Sequence, residues 1–190
     1  ANQREFGADA ARLFFKANLV FCAAAGLACG GVAYAMQARA AAPFFGLFAG
    51  LATLRWFARA HAYALHAPTR AAISDFAYAG LLLAGLALSG LGRGLTTEMA
   101  LAAFVAAAAA GVAMFGLGYF RAQFVEAFSG RLRAYASVWR DQSRWTLLGV
   151  TTTEATANAH AYLVTLVAGP AAFAPLAAAA LFLRPVGLCA

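Results

Sequence analysis

A chain of 190 residues with 64% hydrophobic residues, only 11% charged residues and a mean hydropathy of +0.73 is too apolar for a soluble domain, which carries about 25% charged residues. The net charge of +7 does not point to nucleic acid, because the basic residues stand between apolar runs and form no continuous patch. Cys22, Cys29 and Cys189 lie in apolar segments without CxxC or Cys/His spacing, so they read as small hydrophobes, and no disulfide, metal or other cofactor is expected.

The first polar stretch, ANQREFGADAARLFFKAN, has mixed charge and no signal-peptide pattern. The absence of an initiating methionine and an apolar run close to the last residue read as a piece of a longer polypeptide. Leu13 to Met36 is long enough to span a hydrocarbon core of about 30 Å. Lys16 lies near its start and is expected to snorkel to the interface, while Gly26, Gly30 and Gly31 suit close packing.

A turn around Arg39 and Pro43 leads into a second apolar run from about Ala41, which grades into LRWFARAHAYALH. Arg55 and Arg59 share one helical face, with Trp56 and Tyr63 as interface anchors. His61 and His66 lack the spacing of a helical zinc pair and read as solvated or headgroup-facing. A third helix is expected from about Ala71 to Leu91, with Asp75 in its first turns, where the helix dipole favours an acid. Gly90, Gly92 and Gly94 end it. A fourth follows from about Met99 to Phe120, with Gly111, Gly116 and Gly118 as packing positions and no ionisable group in mid-span.

Arg121 to Arg144 is the one long stretch that does not span. Phe124, Phe128, Leu132, Tyr135 and Trp139 fall on one stripe opposite Arg133, Arg140 and Arg144, which predicts an amphipathic helix lying on the membrane surface or packed on the bundle. A fifth span, Ser143 to Pro170, carries Glu154, the only acid placed well inside a predicted span. A carboxylate there is costly unless it faces protein or water. On a wheel of about 100° per residue, Thr151, Asn158, Tyr162 and Thr165 lie within about 80° of Glu154, while His160, Thr153 and Thr156 lie roughly opposite. Two readings follow: the Glu154 stripe lines a hydrated cavity between two lobes, or both polar faces hold neighbouring helices. A sixth span begins at Ala171, with Pro175 near its start and Arg184 and Pro185 near its far end.

The expected fold class is thus an all-α integral membrane protein with six transmembrane helices and one amphipathic helix. With alternating spans, twelve of the fourteen Lys and Arg residues fall on one side and only Arg39 and Arg93 on the other. The positive-inside rule then places both ends and the amphipathic segment in the cytoplasm.

Two stretches, LRWFARAHAYALHAPTRAAISDFAYAGLLLAGLAL (Leu54 to Leu88) and RWTLLGVTTTEATANAHAYLVTLVAGPAAFAPLA (Arg144 to Ala177), together with this layout, resemble the polysaccharide and lipid-linked oligosaccharide flippases of the multidrug/oligosaccharidyl-lipid/polysaccharide exporter superfamily. The resemblance implies a fragment of a two-lobed, alternating-access bundle: residues 1–120 as four helices of the amino-terminal lobe, 121–144 as the cytoplasmic linker, and 145–190 as the first two helices of the second lobe. It implies a bacterial inner-membrane location and a polyprenyl-pyrophosphate-linked oligosaccharide as substrate. Glu154, Asn158 and Tyr162 would meet sugar or coupling cations, and Arg184 would meet phosphate or anchor its helix end. Membrane lipid and glycan polymerases or glycosyltransferases are the implied partners, and nucleic acid is not. The residues contain no HExxH, GxSxG or P-loop, so an enzyme is not expected. The competing readings are a membrane-embedded glycan transferase using Glu154 and His160, and a non-transporting assembly subunit.

Overall fold

The computed structural model describes residues 2–92, 94, 96–129, 132–169 and 171–172. Every regular element among them is helical, with no strand. The chain divides into two compact units, Ala1–Tyr135 and Ala136–Ala190.

The first unit is built on α1 (Asn2–Ala35), α2 (Ala42–Ala64), α3 (Pro68–Gly92), α4 (Thr97–Ala113) and α5 (Gly116–Phe124). The segment Ala11–Ala35 of α1 and Pro68–Leu91 of α3 are long and apolar enough to cross a membrane. A third candidate arises if α4 and α5, bent by 101° at their junction, count as one span. The apolar helices are therefore compatible with a membrane protein, with two or three candidate spans among the described residues; the predicted sixth span, from Ala171 onward, lies almost wholly outside them.

α1 packs on α2, α2 on α4 and α4 on α3, with a lesser contact between α2 and α3. Glycine makes the first of these contacts possible. A Cβ on Gly26 would stand 2.9 Å from the Gly46 carbonyl oxygen, and one on Gly46 would stand 2.8 Å from that of Gly26. A Cβ on Gly30 would meet the Ala42 carbonyl oxygen at 3.3 Å, so glycines one turn apart let two backbones approach as small-residue motifs do in membranes. Gly31, read with them from sequence, faces open space.

The turns after α1 and after α2 share one device. At the end of α1, Ala38 N–H donates to Ala33 O and Gln37 N–H to Tyr34 O, with Gln37 at φ 65°. At the end of α2, Ala67 N–H donates to Ala62 O and His66 N–H to Tyr63 O, with His66 at φ 55°. Both are Schellman closures with a left-handed residue that is not glycine. Because the left-handed conformation costs a side-chain-bearing residue about 1–2 kcal/mol, His66→Gly should raise stability by about 1 kcal/mol. Thermal unfolding of the purified protein in detergent measures this, and Pro68, which opens α3 just beyond the closure, is unaffected by the change.

Three expectations about continuity are corrected. The fourth helix, predicted unbroken from Met99 to Phe120, turns at Met114 and Phe115, with Gly116 at φ 82° supplying a conformation that disfavours other residues. Residues 121–144 do not form one amphipathic helix. They run as the end of α5, short 3-10 turns at Glu126–Ser129 and Leu132–Ala134, α6 (Tyr135–Val138) and a π-helical turn at Trp139–Ser143. These elements do not keep the regular rotation that a stripe needs. Phe128 stays 72% exposed while its neighbour Ala127 is buried at 1%, so Ala127 and not the aromatic stripe joins the core. The predicted fifth span is divided at Asn158 into α7 (Arg144–Ala157) and α8 (Ala159–Ala168).

Candidate functional site

The Glu154 stripe lies in the second unit. Glu154 is exposed near the end of α7 and Asn158 is half-buried at the break. The Asn158 amide donates to the Glu154 backbone oxygen at 2.9 Å and to its carboxylate at 3.1 Å. Asn158 itself sits at φ −103° and ψ 7°, where its side chain competes with the regular ladder. Thr152, Thr153 and Thr156 donate to Leu148 O, Gly149 O and Thr152 O at 2.8, 2.9 and 2.8 Å. These hydroxyls are therefore bonded within their own helix and are not spent on a neighbour. Of the predicted site residues, the structure brings Glu154 and Asn158 together. Tyr162 belongs to α8, and Arg184 lies outside the described residues.

Sequence reasoning missed two polar centres inside the first unit. In one, Asp75 of α3 receives Arg55 Nη2 on one carboxylate oxygen and Arg59 Nη2 on the other, the latter at 3.1 Å. Arg55 is held further by its Nε donating to Ser74 Oγ at 3.4 Å and by the Tyr78 ring 4.2 Å from its guanidinium carbon. Ser74, fully buried, donates to the Gly111 carbonyl of α4 at 2.7 Å. The arrangement ties three helices through one acid and two bases, and it carries a net positive charge. Asp75 falls in the first turns of the candidate span Pro68–Leu91, whereas α7, which carries Glu154, is not among the candidate spans of the described residues.

In the second centre, Gln123 of α5 is completely buried and donates through Nε2 to Phe15 O at 2.8 Å. Its Oε1 accepts from Asn18 Nδ2 and from the Tyr119 hydroxyl, each at 3.2 Å. A buried amide so satisfied fixes α5 against α1. Sequence signals existed for the first centre, in the Arg55 and Arg59 pair just before the α2–α3 turn and an acid just after it. For the second, nothing in the sequence relates Asn18 to a glutamine 105 positions away.

An open apolar groove of about 1210 Å³ runs along α1 and α2, walled by Leu19, Leu27, Leu47 and Leu51, with Tyr34 and Arg39 at one end. Among the described residues no group of three or more His, Cys, Asp or Glu side chains comes together to hold a metal ion. Comparisons with protein-family models, curated proteins and solved structures find no match to this chain.

Proposed function

We propose that the chain is part of a non-enzymatic membrane transporter that moves a polyprenyl-pyrophosphate-linked oligosaccharide across the bacterial inner membrane for surface polysaccharide export. The observation that carries the transporter class is the Arg55–Asp75–Arg59 cluster. Ionisable side chains held within apolar helices are costly and mark pathways for charged or polar cargo. The apolar α1–α2 groove suits a hydrocarbon chain, which favours a lipid-linked cargo. The oligosaccharide and the bacterial membrane rest on the resemblance of Leu54 to Leu88 and Arg144 to Ala177 to the flippases. On the same footing, the six-span bundle, the cytoplasmic ends, and partnership with a polymerase or glycosyltransferase belong to this proposal.

Glu154 supplies a test that leaves the first unit untouched. Its carboxylate makes the 3.1 Å bond to Asn158, and glutamine keeps its shape while removing the charge. Glu154→Gln in the full-length protein should reduce polysaccharide export at least tenfold with an unchanged amount of inserted protein, the loss of about 1.4 kcal/mol in a transport step. Thr156→Val, which removes only a bond to its own helix, should leave export within twofold of wild type. Normal export by Glu154→Gln together with a loss in Thr156→Val would assign transport to the other face of α7.

A further inference from the structure

A second cavity, of about 250 Å³, opens where the α2–α3 turn meets α5. Phe15, Phe115 and Tyr119 form its apolar wall, and His61 and Arg70 also line it. Neither the half-buried imidazole of His61 nor the exposed guanidinium of Arg70 has a hydrogen-bond or ion-pair partner among the described residues. His61 packs among aromatic rings, 5.0 Å from Phe15, 6.1 Å from Tyr119 and 6.5 Å from Phe57. Arg70 stands in the first turn of the candidate span that begins at Pro68. A cavity at the end of a span lies at the depth of lipid headgroups. One that combines a free cation, an uncommitted imidazole and an aromatic wall is matched to a phosphate diester attached to an apolar body.

We propose that this cavity is a binding site for an anionic phospholipid, with the phosphate held by Arg70 and His61 and the start of the acyl chains laid against Phe15 and Phe115. The site is separate from the Arg55–Asp75–Arg59 cluster, and its occupancy does not depend on what the protein transports. Gly118 allows the cavity to be closed without touching a charge. It lines the space, and a Cβ built on it meets nothing within 4 Å, so a leucine there projects into the cavity from α5 without a clash at its first carbon.

The test is native mass spectrometry of the full-length protein in detergent, given equal amounts of dioleoylphosphatidylglycerol and dioleoylphosphatidylcholine. Wild type should retain phosphatidylglycerol preferentially. Arg70→Gln should lower that preference about fivefold, corresponding to about 1 kcal/mol for one basic residue at a membrane surface. Gly118→Leu should abolish the preference with all charges intact, and Arg140→Gln, an exposed cation of the second unit that lines neither the cavity nor the groove, should leave it within twofold. Undiminished preference in Gly118→Leu, or an equal loss in Arg140→Gln and Arg70→Gln, would overturn the site. Displacement of the lipid by glycerol 3-phosphate at the lipid's own concentration would overturn the choice of a membrane lipid over a soluble phosphate ester. Should Arg70→Gln fail to fold, Gly118→Leu decides the question alone.

Discussion

Asp75→Asn should destabilise the first unit by about 3 kcal/mol, because it leaves Arg55 and Arg59 facing each other with no counter-charge. The side chains are 12% exposed for Arg55, 26% for Arg59 and 37% for Asp75, so the cost belongs at the lower end of the range for a broken buried pair. The asparagine can still accept from one guanidinium, but it cannot neutralise either. Removing all three charges together, as Arg55→Met, Arg59→Met and Asp75→Leu, should recover most of the loss, since desolvation of the ions disappears along with their attraction. Unfolding in detergent against increasing denaturant gives both values. A triple variant as unstable as Asp75→Asn would show that Ser74, Gly111 and packing, rather than charge, hold α2, α3 and α4 together.

Gly26→Val should cost about 3 kcal/mol, the upper part of the usual penalty for overpacking. Its Cβ alone would lie 2.9 Å from the Gly46 carbonyl oxygen, and backbone on both sides leaves no flexible side-chain end to give way. The helices must then separate, which also opens the wall of the α1–α2 groove. Gly31 provides the control on the same helix. A Cβ there meets nothing within 4 Å, and Gly31→Ala should stabilise by about 0.5–1 kcal/mol through helix propensity. The pair of melting curves therefore separates close packing from the general effect of placing a side chain on α1. Similar destabilisation by both substitutions would contradict the packing account.

The parts of the fold that hydropathy encodes locally were legible. Ala11–Ala35 and Pro68–Leu91 lie within or close to the predicted first and third helices. Gly26 and Gly30 were readable as packing residues, although only the fold distinguishes them from Gly31. Continuity was harder to read, since a helical wheel assumes an unbroken helix. Gly116 and Gly118 look alike as small residues, yet only Gly116, with φ 82°, forms part of the turn between α4 and α5. Asn158 was legible as a stripe neighbour of Glu154, to which its side chain bonds, but not as the point where the helix breaks.

The polar centres show a different limit. Arg55, Arg59 and Asp75 were each explained within their own helices, as interface cations and as a dipole partner, and those local explanations concealed their meeting. Gln123 lies in the segment read as an amphipathic helix and drew no reading of its own, although it is fully buried and bonds to Phe15 and Asn18. Such pairing is long-range in sequence, and amphipathic periodicity carries no information about it.

Reconstitution tests the transport proposal most directly. The full-length protein is placed in liposomes containing a fluorescent polyprenyl-pyrophosphate oligosaccharide, and a membrane-impermeant quencher is added outside. The account predicts that the quenched fraction rises from the outer-leaflet share to nearly the whole, and that Glu154→Gln slows this rise at least tenfold, the equivalent of about 1.4 kcal/mol. A quenched fraction that stays at the outer-leaflet share in vesicles holding folded, inserted protein would contradict it.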